Sequence, residues 1–445
     1  MHKKDRAAKP AQASDAAFSR VIANTAWLLG GKGVGAILSL FYLAIVTRTL
    51  GVADFGRFAL ILSTAQAISV MVTFESWQIV VRFGQKHLHG GDPHALNRLV
   101  RFCMLIDIAS ALAGCLLAAA VALLLGPYFG WSRELAMQAL IFCAAMLLGI
   151  RSTPTGLLRL FDRFDTGTVA ETMIPIGRMV GALVVMAFTP SITAFLIVWA
   201  CAELVCASTY WTLALRAARG RIGSWRSGTP FAARAENPGL IGFLTATNLS
   251  TTLSSVGKQV AVLIIGVFVG PTGAGFYRLA NQLSQALTKV SGMLSRTIFA
   301  ELARASASEG AEQVRALFRR MNRLALITGA AIIILILVAG KPLLVLVAGE
   351  AFAGAYPLLL LLGIAASIDL VGVSFSPLLM ATGRASLSLR IVFINTLVLL
   401  GMLTILLPRY GTIGAAYSSI TAALIGFCLM GWASRRAMRE PQVSA

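Results

Sequence analysis

The chain has 445 residues, of which 57% are hydrophobic and only 13% charged, with a formal net charge of +20. That balance excludes an ordinary soluble protein of this size. Its apolar runs are about twice the length of a barrel strand and do not alternate apolar with polar residues, which excludes a β-barrel and leaves an all-α polytopic membrane protein.

Twelve runs are long enough to cross a bilayer, near residues 21–47, 57–81, 99–126, 135–157, 167–189, 192–215, 240–269, 276–299, 321–347, 356–380, 386–407 and 412–434. With the N-terminus placed in the cytoplasm, most of the 38 Lys and Arg residues fall on the inner side. The outer side keeps only Arg48, Arg57, Arg133, Arg278, Lys341 and Arg409. This asymmetry predicts cytoplasmic termini and accounts for the positive charge without nucleic acid. Cys103, Cys115, Cys143, Cys201, Cys206 and Cys428 lie in or beside apolar runs, as small hydrophobes rather than a disulfide framework. The first run is too long for a signal-peptide core and has no convincing cleavage site, so it reads as a retained helix.

Residues 1–20 form a basic tail, expected to lie disordered against the anionic inner leaflet. The first helix carries Asn24, Thr25, Lys32, Gly35 and Ser39, with Lys32 ~15 Å above its inner end and so near the midplane. After the turn from Leu50 to Gly56, the second helix carries Ser63, Gln66, Ser69, Thr73, Glu75 and Ser76. His87, His89 and His94 resemble metal ligands only in composition, and a solvated loop without metal is predicted there.

Helices three to six are oilier and carry Asp107, Glu171, Arg178 and Glu203. Arg178 and Glu203 stand at similar depth on consecutive helices, either as an ion pair joining them or as a site for ions or substrate. Residues 216–238, rich in Arg, Gly, Ser and Pro, read as a cytoplasmic linker between six-helix bundles at 21–215 and 239–434, with a tail at 435–445. An internal echo supports the division. Gly51, Gly56, Phe58, Leu60, Gln66 and Ala67 return as Gly270, Gly275, Tyr277, Leu279, Gln285 and Ala286, with residue numbers that differ by 219 throughout. Six crossings separate the copies, which makes the halves parallel repeats about an axis along the membrane normal and puts a cavity between them.

The second half opens with a polar stripe. Thr247, Thr251, Ser254 and Lys258 share one line of the seventh helix, and Asn248, Thr252, Ser255 and Gln259 the next. Past Gly270-Pro271-Thr272-Gly273, the eighth helix repeats the design with Asn281, Gln285, Lys289 and Gly292. A Lys at the centre of a membrane helix costs ~2.5–3.5 kcal/mol unless it meets water or an anion. The stripes therefore predict a water-filled cationic cavity lined by Lys32, Lys258, Lys289, Thr251, Ser255, Gln259, Gln285 and Gln66. Further on, Arg304 to Arg323 reads either as an amphipathic surface helix or as a solvated loop. Asp369 is the lone acid of the tenth helix, with Ser367 and Ser374 to solvate it; it is either a protonated buried carboxyl or, like Glu203, a candidate for ion coupling.

The segment Thr47-Arg48-Thr49-Leu50-Gly51-Val52-Ala53-Asp54-Phe55-Gly56, its echo from Val269 to Tyr277, the junction from Leu346 to Ala355 and the late stretch from Tyr410 to Ala416 resemble a known family. It is the polysaccharide-transporter branch of the multidrug/oligosaccharidyl-lipid/polysaccharide exporter superfamily, the O-antigen flippases. The resemblance implies a V-shaped pair of six-helix bundles that alternates access and flips polyprenyl-diphosphate-linked sugar repeats across the bacterial inner membrane. It implies that the first, second, seventh and eighth helices line the cavity. It also implies a lipid-linked oligosaccharide, membrane lipids and a polysaccharide polymerase as partners, and an ion gradient rather than a cofactor as the energy source. A drug or metabolite antiporter of the same superfamily is the alternative, and for cationic cargo it would want carboxylates in the cavity. An enzyme such as a polymerase or ligase would need a sizeable outer loop, and neither that nor a nucleophile–base pair is found, so no catalytic residue is expected.

Overall fold

A computed structural model of the chain describes residues 10–124, 126–223, 228–306, 311–381 and 384–439. Its helices are α1 (Pro10–Val72), α2 (Ser76–His89), α3 (Pro93–Leu124), α4 (Arg133–Leu148), α5 (Ser152–Leu160), α6 (Phe164–Phe188), α7 (Ile192–Ala218), α8 (Ala232–Glu236), α9 (Leu240–Ser306), α10 (Ala311–Ala348), α11 (Tyr356–Val371), α12 (Phe375–Ala381) and α13 (Ala385–Arg439). No strand occurs among the described residues, and nine segments of them are long and apolar enough to cross a membrane.

The longest helices are hairpins. α1, α9 and α13 each turn at one glycine with positive φ: Gly51 (φ 70°), Gly270 (φ 85°) and Gly411 (φ 56°). An L side chain adopts that conformation only at a cost, which is why glycine stands there. The fold-back shows in the contacts across each turn. Tyr42 and Phe58 both pack edge-on against Trp199, at 4.9 and 5.3 Å between ring centroids. Arg278 reaches back to Gln259 at 3.2 Å. A Cβ on Gly426 would lie 3.1 Å from the Asn395 side chain. In a straight helix each of these pairs would be more than ~20 Å apart. Each hairpin therefore holds two crossings. α2 completes the second crossing, α5 the fourth and α12 the tenth, giving twelve crossings in two sets of six.

The repeat axis can be located from two glycines. A Cβ on Gly56 would lie 1.9 Å from the Pro271 carbonyl oxygen, and one on Gly275 would lie 3.1 Å from the Val52 carbonyl oxygen. Val52 and Gly56 are the counterparts of Pro271 and Gly275 in the internal echo, so the contact is reciprocal and the axis runs between the two glycines. Absent side chains let the two backbones meet here, as in close membrane helix crossings. Phe352 seals the same end against Phe55 (5.7 Å) and Phe276 (5.9 Å), and Arg48 donates to the Leu346 carbonyl at 2.5 Å. The charge asymmetry of the sequence predicts that this end faces outward.

Several expectations need correction. α1 begins at Pro10, so helix extends into the region read as a disordered tail. The described part of the segment read as a cytoplasmic linker packs on the first half. Gly223 N–H donates to the Pro93 carbonyl (2.9 Å), Asn97 Nδ2 to the Gly223 carbonyl (3.0 Å), and Arg98 pairs with Glu236 (2.7 Å). His87 is buried against Asn237 (2.9 Å) rather than solvated, because that folded segment covers it; His89 and His94 are exposed. No group of three metal-ligating side chains occurs among the described residues, and all six cysteines are free. The side chains from Arg304 to Met321 lie outside the described residues, and from Ala311 the backbone continues without interruption into α10.

Candidate functional site: a cationic seam between the halves

Beneath the glycine crossing, the second crossing lies along both arms of α9. Gly266 abuts Leu60, and Thr252 Oγ1 donates to the Val70 carbonyl at 3.1 Å. Arg278 enters this seam from the eighth crossing. Its Nη1 donates to Ser63 Oγ (3.2 Å) and Gln259 Oε1 (3.2 Å), and its Nη2 to Gln66 Oε1 (3.0 Å). All three acceptors are neutral, and among the described residues no carboxylate stands within ion-pair distance of this guanidinium. Neutral hydrogen bonds orient a guanidinium but leave its charge uncompensated, so a half-buried Arg of this kind calls for water or an anion.

Tyr42 and Arg178 are close enough to act on the charge of Arg278. Arg178 reaches the Tyr42 hydroxyl at 3.5 Å, lies 5.0 Å over the Trp199 ring and pairs with Glu203 at 2.8 Å. The other Glu203 oxygen accepts from Arg151 at 2.7 Å. Among the described residues, one carboxylate thus pairs with two guanidiniums beside a third that pairs with none.

A family profile described as "Polysaccharide biosynthesis protein" matches residues 21–299, more than half of the chain. The chain belongs to this family. It is 28% identical over 347 residues to the inner membrane protein YghQ of Escherichia coli (strain K12), covering 78% of this chain and 97% of that protein. Among solved structures it resembles the lipid II flippase MurJ in an inward closed conformation, with a TM-score of 0.68 at 13% identity over 93% of this chain and 89% of that one. An inward-facing multidrug resistance MATE family transporter of the MOP superfamily gives 0.66 at 13% identity over 91% and 96%. An outward-facing one gives 0.56 at 14% identity over 95% and 96%. These likenesses establish the fold: the polysaccharide biosynthesis family member is a V-shaped pair of six-helix bundles with a central cavity.

In this family member, the predicted lining residues Gln66 and Gln259 meet on Arg278. Ser255 is half-buried, and Gln285 donates to Asn281 at 3.2 Å one turn farther along the eighth crossing. The side chains of Lys32, Thr251, Lys258 and Lys289 lie outside the described residues. Asp369 is exposed on α11, while Ser367 and Ser374 are buried with hydroxyls that bond to nothing described, so they do not solvate it. Positions two apart on a helix point to nearly opposite sides, which separates Ser367 from Asp369.

Arg278 corrects the assignment of that residue to the outer surface. It stands eight residues past Gly270, ~12 Å into the membrane. The hydropathy pattern starts the eighth crossing at 276, whereas the helix resumes directly after the glycine. A signal was present: Arg278 extends the stripe of Asn281, Gln285 and Lys289 by one helical step. Arg151 stands in a break of the fourth crossing against Glu203.

Proposed function

We propose that this protein is a flippase that carries polyprenyl-diphosphate-linked oligosaccharides across the bacterial inner membrane for cell-surface polysaccharide synthesis, by alternating access between bundles at 21–215 and 239–434. The observation that carries the reading is Arg278, a cation at the seam held by Ser63, Gln66 and Gln259 and paired with no described carboxylate. A diphosphate and its sugars need a cation, amides and hydroxyls to leave water, while the polyprenyl tail is at home in lipid. Rocking of the halves then moves the head group without breaking a bond, and no enzymatic step is required. The membership in a polysaccharide biosynthesis family and the likeness to a lipid II flippase favour this cargo over a drug. Lys32, Lys258 and Lys289 join Arg278 as cargo cations in this proposal, an ion gradient drives turnover, and Asp369 or Glu203 couples to it.

The test is complementation of surface polysaccharide in cells lacking the gene. Arg278→Ala should lower export at least tenfold at normal membrane levels, and Arg278→Lys should restore part of it. Unchanged polysaccharide together with altered drug resistance would move the assignment to an antiporter.

A further inference from the structure

The second and fourth crossings are both broken, and the breaks lie side by side. α1 ends at Val72 and α2 begins at Ser76, with Glu75 at φ −80°, ψ 54°. α4 ends at Leu148 and α5 begins at Ser152, with Arg151 at φ −133°, ψ −3°. A broken helix inside a bilayer frees backbone groups that lipid cannot satisfy, and it persists only where the protein supplies partners. Here one buried side chain, Asp107 on the unbroken α3, bonds to the backbone at one break and to side-chain hydroxyls at both. One of its oxygens accepts from Ser76 Oγ; the other accepts from Thr153 N (3.2 Å) and Thr153 Oγ1 (2.6 Å). Ser76 and Thr153 lie in the first turns of α2 and α5, so a single carboxylate stands at the positive ends of two helices.

Beyond the breaks the two short helices are locked to each other. Trp77 N–H donates to Ser152 Oγ at 3.1 Å, and Arg159 lies 3.9 Å over the Trp77 ring. A Cβ on Gly156 would come within 2.7 Å of Val80 Cβ and 2.9 Å of Trp77 Cα, and one on Gly84 within 2.9 Å of Leu160 Cδ2. No slack remains between them. Their apolar residues, Ile79, Val80, Leu157 and Leu160, belong to an inner cluster distinct from the outer one that spans both halves. That inner cluster also contains Leu240 and Leu244, the first turns of the seventh crossing. Phe83 of α2 packs edge-on against Phe243 at 6.0 Å, and Arg82 lies 4.3 Å over the same ring.

We infer that α2 and α5 form one jointed unit that pivots on Asp107 and carries the inner end of the seventh crossing, opening and closing the inner mouth of the seam. Asp107 touches no cargo and is a positioning residue. The inference rests on the transport reading of the seam, and its test is kept separate from that reading.

The experiment is amide hydrogen exchange on the full-length protein in lipid nanodiscs, following peptides over 76–80 and 152–156. Ser76→Ala removes a donor to Asp107 from α2 alone, and Thr153→Val removes one from α5 alone; both variants avoid burying an unpaired charge. Either substitution should speed exchange at least threefold in both segments, with residues 52–66 of the outer seam unchanged, and should slow polysaccharide export. Faster exchange confined to the substituted helix, or no change in either, overturns the joint. Coupled exchange in a protein whose deletion leaves surface polysaccharide intact supports the joint and removes the flippase reading instead.

Discussion

Glu203 accepts from Arg178 and Arg151 at once, and the two partners differ in exposure: their side chains are 13% and 42% accessible, against 7% for Glu203. Removing the carboxylate strands a buried Arg178, a loss on the order of 3–5 kcal/mol, whereas the exposed Arg151 regains water and adds little. Glu203→Gln should therefore lower the thermal midpoint of the purified protein clearly, Arg151→Gln should barely move it, and Glu203→Leu combined with Arg178→Met should recover part of the loss. An unchanged midpoint with a flattened pH dependence of transport would instead mark Glu203 as the coupling group. Asp92, outside the membrane, shows the simpler carboxylate case. It accepts from the backbone N–H of Ala95 (2.9 Å) and His94 (3.1 Å) at the start of α3. The Ala95 bond foremost holds its carboxyl below the ordinary range. A folded-state value below the unfolded one means that its contribution is present above about pH 4 and fades as pH falls. Exchange in the first turn of α3 should rise below that pH in wild type, and Asp92→Ala should show the raised level at neutral pH.

At the scale of elements, the close approach of Gly56 and Gly275 decides how the two halves meet. Any side chain at Gly56 collides with the backbone of Pro271 rather than with a flexible neighbour, since its Cβ alone would lie 1.9 Å from the carbonyl oxygen. Gly56→Val should insert normally yet be unable to close the outer seam. A cysteine placed at Gln66 should then react with an impermeant thiol reagent added outside at least tenfold faster than in the Gly56 background. Equal rates would show that the crossing does not seal that end. The glycine turns and the broken helices serve different purposes. Gly51, Gly270 and Gly411 reverse the chain at the membrane face, while the breaks near Glu75 and Arg151 lie within the bundle, where side chains must replace the lost helical bonds.

For the whole molecule, twelve crossings place Pro10 and Arg439 on one side, and the excess of Lys and Arg there predicts that this side faces the cytoplasm. A phosphatase that works only in the periplasm should be inactive when fused after Ala445, and a cytoplasmic reporter at the same site should be active; the reverse result would invert the orientation. In the proposed transport cycle, outward opening would separate Gly56 from Gly275 and draw Ser63 and Gln66 away from Arg278.

The sequence alone determined the membrane class, the twelve crossings, the two repeats and the polar faces of the seventh and eighth helices. Each of these follows from periodicity and composition along one chain, which hydropathy and charge asymmetry report directly. It also brought Arg178 and Glu203 together, because consecutive antiparallel helices at equal depth are neighbours whatever the rest of the fold does. The tertiary structure alone decided that Arg278 lies in the seam, that Arg151 shares Glu203, that His87 is buried beneath the folded linker, and that Asp107 serves two broken helices. These are pairings between residues distant in the chain, from Ser63 to Arg278 or Asp107 to Thr153. A polar residue in an apolar run announces that it needs a partner, but which partner it finds depends on how the helices pack against one another.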